Sequence, residues 1–100
     1  MKLSRKALKI KKNIIEEYYI DDAGGLNILQ AGLEAYDRLQ EARKRIQEEG
    51  MALPDRFGVL KPHPLLAAER DARSQWLHAL KMLNLDIEPL KDRAGRPSGT

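Results

Sequence analysis

The first twelve residues hold six cations, Lys2, Arg5, Lys6, Lys9, Lys11 and Lys12, and no acidic side chain. So dense a run attracts polyanions, either nucleic-acid phosphates or an anionic membrane surface, far more strongly than the whole chain's net charge of +3 would. Residues 13–37 reverse the sign, with Glu16, Glu17, Asp21, Asp22, Glu34 and Asp37 and neither Lys nor Arg. Lysine is a point charge suited to phosphate oxygens, whereas reading base edges favours the planar Arg, Asn or Gln. The chemistry expected of this end is therefore a salt-sensitive grip on a duplex backbone.

Other reactive residue types are present without the partners that catalysis needs. His63 stands between Pro62 and Pro64, and His78 has neither a carboxylate nor a histidine three or four residues away, so no metal-ligand spacing is formed. Glu16-Glu17, Asp21-Asp22 and Glu48-Glu49 are adjacent pairs that project in different directions at expected helix ends. Capping and the helix dipole account for the acids at N-termini. Gly24-Gly25 lacks the Gly-Lys-Ser/Thr of a phosphate loop and reads as a turn. With no cysteine there is no thiolate nucleophile, disulfide or Cys-based zinc site, in keeping with a reducing cytosol. The expectation is no catalytic, cofactor or metal residue, no small-molecule substrate, and work done by binding macromolecules. Near the end, Gly95-Arg96-Pro97 is similar to the core of AT-hook peptides, whose arginine enters a narrow minor groove, although Ala94 stands where the hook has a basic residue. Candidate DNA contacts are Lys2, Arg5, Lys6, Lys9 and Lys12, with Arg93 and Arg96 assisting.

These residues need elements to position them. At 100° per residue, Leu3, Ala7, Ile10, Ile14 and Tyr18 fall within roughly 80° while Lys2, Arg5, Lys6, Lys9 and Lys12 share a separate sector of roughly 120°, so an amphipathic helix over 3–19 is predicted, with Lys11 apart from the basic face. Asp21, Asp22 and the glycine pair interrupt it, and either Asp can cap the next helix. That helix, over 25–49 with Gly50 as a left-handed stop, carries two apolar stripes: Leu26, Leu29, Leu33 and Tyr36 on one side, and Ile28, Ala31, Ala35, Leu39, Ala42 and Ile46 on the other. Residues 51–62 read as a short hairpin around Pro54-Asp55-Arg56-Phe57-Gly58. Pro64 suits the opening of a last helix over 64–83, whose stripe of Leu65, Ala68, Ala72, Trp76, Ala79, Leu80 and Leu83 widens to about half the circumference once Leu66 and Leu77 are added. Glu69 and Arg73 stand four apart and can pair. Asn84 takes the left-handed stop, and Pro89 bars continuation.

The fold expected is mainly α: three helices with a long central one and a hairpin-like insert before the last, assembling as an oligomer, with a ring as one closed form. Its parts are a basic N-terminal helix (1–20), an oligomerisation core (21–90) and a basic flexible tail (91–100). Two stripes on the central helix require neighbours on two sides, so Leu26, Leu29, Leu33, Tyr36, Leu65, Trp76 and Leu80 are candidate contacts between copies, with Leu33 and Trp76 as anchors. A monomeric three-helix bundle meets the same requirement. No apolar run approaches the ~18 residues of a membrane span, and no secretory signal opens the chain.

From about Asp22 to Arg96 the chain resembles the small subunit of the DNA-packaging terminase of tailed bacteriophages, in its compact prophage-type family. The features that carry this are a long helix ending in Gly50, a turn-rich insert with Gly58, His63-Pro64 opening the next helix, and Leu83-Asn84-Leu85 followed by Pro89. Members close that helix with Leu-Gly-Leu; here Asn84 replaces the glycine, a mild change because Asn tolerates the left-handed conformation. The resemblance implies a non-catalytic subunit in the host cytoplasm that oligomerises, often into a ring, engages double-stranded viral DNA and delivers it to the large subunit, whose ATPase and nuclease do the chemistry. Some small terminases carry a separate helix-turn-helix domain, whereas only one predicted helix precedes Asp21 here. The alternatives are a small helical phage transcriptional regulator using the same basic face, and a protein-interaction adaptor without DNA contact.

Overall fold

The computed structural model describes residues 2–85. Pro89, the basic tail at 91–100, and Arg93 and Arg96 within it lie outside the described residues. Three helices and a two-stranded hairpin follow in the order α1 (Arg5–Tyr18), α2 (Ala23–Glu49), β1 (Ala52–Pro54), β2 (Leu60–Pro62) and α3 (Leu65–Met82). This is the mainly α architecture expected, with the long helix central and the hairpin before the last helix.

Local chemistry sets each boundary. Ser4 caps α1, its Oγ accepting the Ala7 N–H at 3.0 Å, so the helix starts two residues later than the periodicity suggested and Lys2 and Leu3 precede it. It ends at Tyr19, whose φ of 55° and ψ of 43° are left-handed. A non-glycine residue there costs about 1 to 2 kcal/mol. Asp22 caps α2 through the Gly25 N–H at 2.8 Å and starts it two residues earlier than expected, so Gly24 and Gly25, expected to form a turn, lie in its first helical turn. Gly50 does end α2 with a positive φ that favours glycine, but its ψ of 158° with a φ of 90° lies outside the left-handed helical conformation anticipated; its N–H still donates to the Ile46 carbonyl at 2.7 Å.

The hairpin is antiparallel, with Leu53 opposite Lys61. Its turn is tied by Asp55, whose Oδ1 accepts the Phe57 and Val59 N–H groups at 2.8 and 3.0 Å, while Gly58 (φ 80°) donates to the Asp55 carbonyl at 2.9 Å. This is a turn whose last residue must be left-handed, the conformation glycine adopts without strain. At the end of α3, Asn84 (φ 59°) takes the expected left-handed position. The Leu85 N–H bonds the Leu80 carbonyl and the Asn84 N–H bonds that of Lys81, both at 3.0 Å, closing a Schellman motif over two buried leucines.

Helix α1 lies antiparallel on the first half of α2: Ser4 meets Asp37 and Lys11 meets Gln30. Its apolar stripe supplies Leu3 and Ala7 to a core completed by Leu29 and Leu33, with Ile10, Ile14, Tyr36, Trp76 and Leu83 packed around it. Tyr36 and Trp76 meet edge to face, ring centroids 5.4 Å apart. The other side of α2 buries Gly32, Ala35, Leu39 and Ala42, and α3 buries Ala72, Ala79 and Leu80. Small residues on both helices allow close approach: a Cβ on Gly32 would stand 2.6 Å from that of Ala79. Leu29 and Leu33 of one stripe and Ala35, Leu39 and Ala42 of the other thus find their neighbours inside one chain, whereas Ala31, expected in the second stripe, is exposed.

Candidate nucleic-acid interface

On α1 the packing stripe and the charged face separate as the helical period requires. With Leu3 and Ala7 buried, Arg5, Lys6, Lys9 and Lys12 are exposed, and Lys2 is exposed just ahead of the helix. Among the described residues none of these five side chains joins an ion pair or hydrogen bond. Lys11 differs: its Nζ donates to Gln30 Oε1 at 3.2 Å, and Gln30 in turn donates to Glu34 at 3.1 Å. The angular separation of Lys11 from the basic sector is therefore real. Lys2 is the exception to the wheel, because the Ser4 cap leaves it off the helix.

The orientation of this face is fixed at its start by a pairing that sequence reasoning missed. The Ser4 N–H and Oγ–H donate to the two oxygens of the Asp37 carboxylate at 2.8 and 2.6 Å, across 33 residues of chain. A Ser followed three residues on by a stripe alanine is a readable cap signal, but nothing in the sequence points from Ser4 to Asp37. Beside it, an open groove of about 940 Å³ is lined by Lys2, Lys6, Lys44 and Arg45 together with Glu41 and Asp71. Its mixed charge makes it a poorer track for phosphates than the outward face of α1.

Of the residues expected to join copies, Leu29 and Leu33 are fully covered and Leu80 is buried, all within the single chain, while Leu26, Tyr36, Leu65 and Trp76 are half-buried. The first three cannot reach a second copy without α1 or α3 moving away.

His63 is a structural residue. It is 3% exposed; its Nδ1 accepts the Leu65 N–H at 3.0 Å, and its Nε2 lies 2.7 Å from Glu49 Oε1. With Nδ1 accepting, the neutral ring carries its proton on Nε2 and donates to the carboxylate. That hydrogen bond, with the nearby Arg45 charge and against the opposing effect of burial, holds the Glu49 carboxyl below the ordinary carboxylate value. His78 is exposed. Glu69 joins the two long helices, its carboxylate within 3.0 Å of Arg43 Nε and 3.1 Å of Arg73 Nη1; the second is the i, i+4 pair expected on α3. Among the described residues no group of three or more His, Asp or Glu side chains stands together as a metal site, and no helix is long and apolar enough to cross a membrane.

A family model described as phage terminase, small subunit, matches residues 22–93. The match begins at the residue that caps α2, so it takes in α2, the hairpin and α3 and leaves α1 outside. No curated protein and no solved structure matches the chain.

Proposed function

The chain belongs to the phage terminase small-subunit family, and on that premise we propose that α1 is its grip on duplex DNA, through phosphate contacts from Arg5, Lys6, Lys9 and Lys12 with Lys2 ahead of them. The subunit is non-catalytic, self-associates with a ring as one closed form, and works in the host cytoplasm by bringing viral DNA to the large subunit and modulating that subunit's ATPase and nuclease. Arg93 and Arg96 assist in holding the DNA. The observation that carries this reading is the exposed, unpaired basic face of a helix whose opposite face is committed to the core: the cations are free to meet phosphate while the helix stays docked. Because α1 lies outside the matched region, the family supports the role in packaging, while DNA binding at α1 is supported by its own residues.

A salt titration tests it. Removing each phosphate-binding cation should flatten the slope of log K against log salt by about 0.9 on duplex DNA, so a Lys6→Ala, Lys9→Ala, Lys12→Ala triple variant should show a slope shallower by roughly 2 to 3 units per protomer engaged. Fluorescence anisotropy curves superimposable on wild type, at unchanged helicity and mass, would end the reading of α1 as the DNA grip. DNA binding with no effect on a cognate large subunit's ATPase or nuclease would favour the transcriptional-regulator alternative.

A further inference from the structure

We propose that one copy docks on the next head to tail, the hairpin tip of one seated on the α1–α2 turn of its neighbour. This rests on the self-association in the proposed function and is independent of DNA binding. With Leu29, Leu33 and Leu80 buried inside the chain, the apolar surface that remains is concentrated at the two ends of α2. Among the described residues nine large hydrophobic side chains are exposed; four of them (Met51, Phe57, Val59, Leu60) lie on the hairpin and two (Tyr18, Tyr19) at the turn. An apolar cluster on a well-tied turn is characteristic of an interaction surface more than of a solvated loop.

The two ends are complementary in charge. On the hairpin, the Arg56 guanidinium stands 5.1 Å from the centroid of the Phe57 ring, and Lys61, on β2, is exposed. At the turn, Glu16, Glu17 and Asp21 are exposed and, among the described residues, join no ion pair or hydrogen bond. Tyr19 holds a left-handed conformation with 85% of its surface exposed, so packing within the chain does not offset its backbone strain. Strain with no local compensation is a mark of packing made elsewhere. The ends are separated by the length of α2, about 40 Å for its 27 residues, so tip and turn of the same copy cannot meet. Each chain offers one donor and one acceptor surface. This is the heterologous arrangement that gives a ring if the rotation closes and a filament if it does not.

Sedimentation of three full-length proteins tests it: wild type, a tip variant (Phe57→Ser, Leu60→Ser) and a turn variant (Glu17→Lys, Tyr19→Asn), with circular dichroism confirming the fold. Asn suits the left-handed position, so the turn variant removes the ring without disturbing the helix end. Wild type should exceed a dimer and each variant should be monomeric. An equimolar mixture of the variants should give two-chain species and nothing larger, because one intact tip then meets one intact turn and only disabled surfaces remain. A monomeric wild type would overturn the self-association itself. An assembled wild type whose variants keep its mass, or a mixture that stays monomeric, would overturn only this pairing of surfaces. So would a tip variant that still assembles but no longer binds the large subunit, which would assign the hairpin to that partner.

Discussion

Two glycines in one helix offer a matched pair of substitutions with different consequences. In Gly32→Ala the new Cβ would lie 2.6 Å from the Ala79 Cβ and 3.3 Å from the Trp76 ring, whereas in Gly24→Ala its nearest neighbour is an Asp22 carboxylate oxygen at an ordinary 3.5 Å. Both changes remove backbone freedom from the unfolded chain and gain up to about 1 kcal/mol of helix propensity. That gain is somewhat smaller at Gly24, in the first turn, than at the interior Gly32, and its common part drops out of the comparison. What remains is the overpacking at Gly32. The Ala79 Cβ is fixed to its backbone and cannot swing aside, so α2 and α3 must separate, at a cost of roughly 1 to 3 kcal/mol. For a domain of this size 1 kcal/mol moves the melting temperature by about 4 to 8 °C, so Gly32→Ala should melt at least ~4 °C below Gly24→Ala. Thermal melts of both variants at one protein concentration, held fixed because association would shift the midpoint, provide the measurement. Equal midpoints would show that the α2–α3 seam is not closed at Gly32 and would refute the account of how the small residues bring the helices together.

Ser4→Ala removes the cap of α1 and one of the two hydrogen bonds to Asp37, the backbone N–H bond remaining, and should cost about 1 kcal/mol in chemical denaturation, whereas Ser4→Asp would place a carboxylate against Asp37 and cost more. Trp76→Ala should cost about 3 kcal/mol, the lower end for a large aromatic because the ring is half-buried; a cost below ~1 kcal/mol would mean that the ring contributes little to the core. Because the folded Glu49 carboxyl is lowered by its hydrogen bond from His63, its contribution is fully present above the ordinary value of 4.5 and is lost as pH falls through the lowered folded value, so melts of wild type and Glu49→Gln should converge on acidification. A gap between the two that is constant with pH would contradict that origin.

What could be read in the sequence was what is decided locally. The period of α1, the cap at one of Asp21 and Asp22, the turn around Gly58 and the stop at Asn84 each depend on residues within a few positions of one another, and each is present, although Asp22 opens α2 two residues early. The start of α1 was displaced because periodicity continues through Leu3 while the Ser4 oxygen, which periodicity ignores, takes the amide of Ala7. Partner choice was the larger difficulty. Leu29 and Leu33 have the spacing of a packing stripe, but spacing cannot tell whether α1 or another copy covers them. In the basic face the wheel separated Lys11 correctly, because that separation is angular. The long-range pairings Ser4–Asp37 and His63–Glu49 were invisible, since each joins residues that are ordinary surface types taken singly.

His63 also bears on which copy of α3 packs against a given α2. The seam between these helices is formed by two different faces, one on each, so the same packing would form if α3 were exchanged between two chains through an opened connection, the route of domain swapping. Exchange requires the reversal between Glu49 and Leu65 to straighten. The imidazole spans that reversal, one nitrogen on the last residue of α2 and the other on the first amide of α3. Straightening would release both bonds and expose a ring that the closed form buries. The histidine therefore acts as a latch on connectivity, favouring the closed chain over one whose last helix is exchanged.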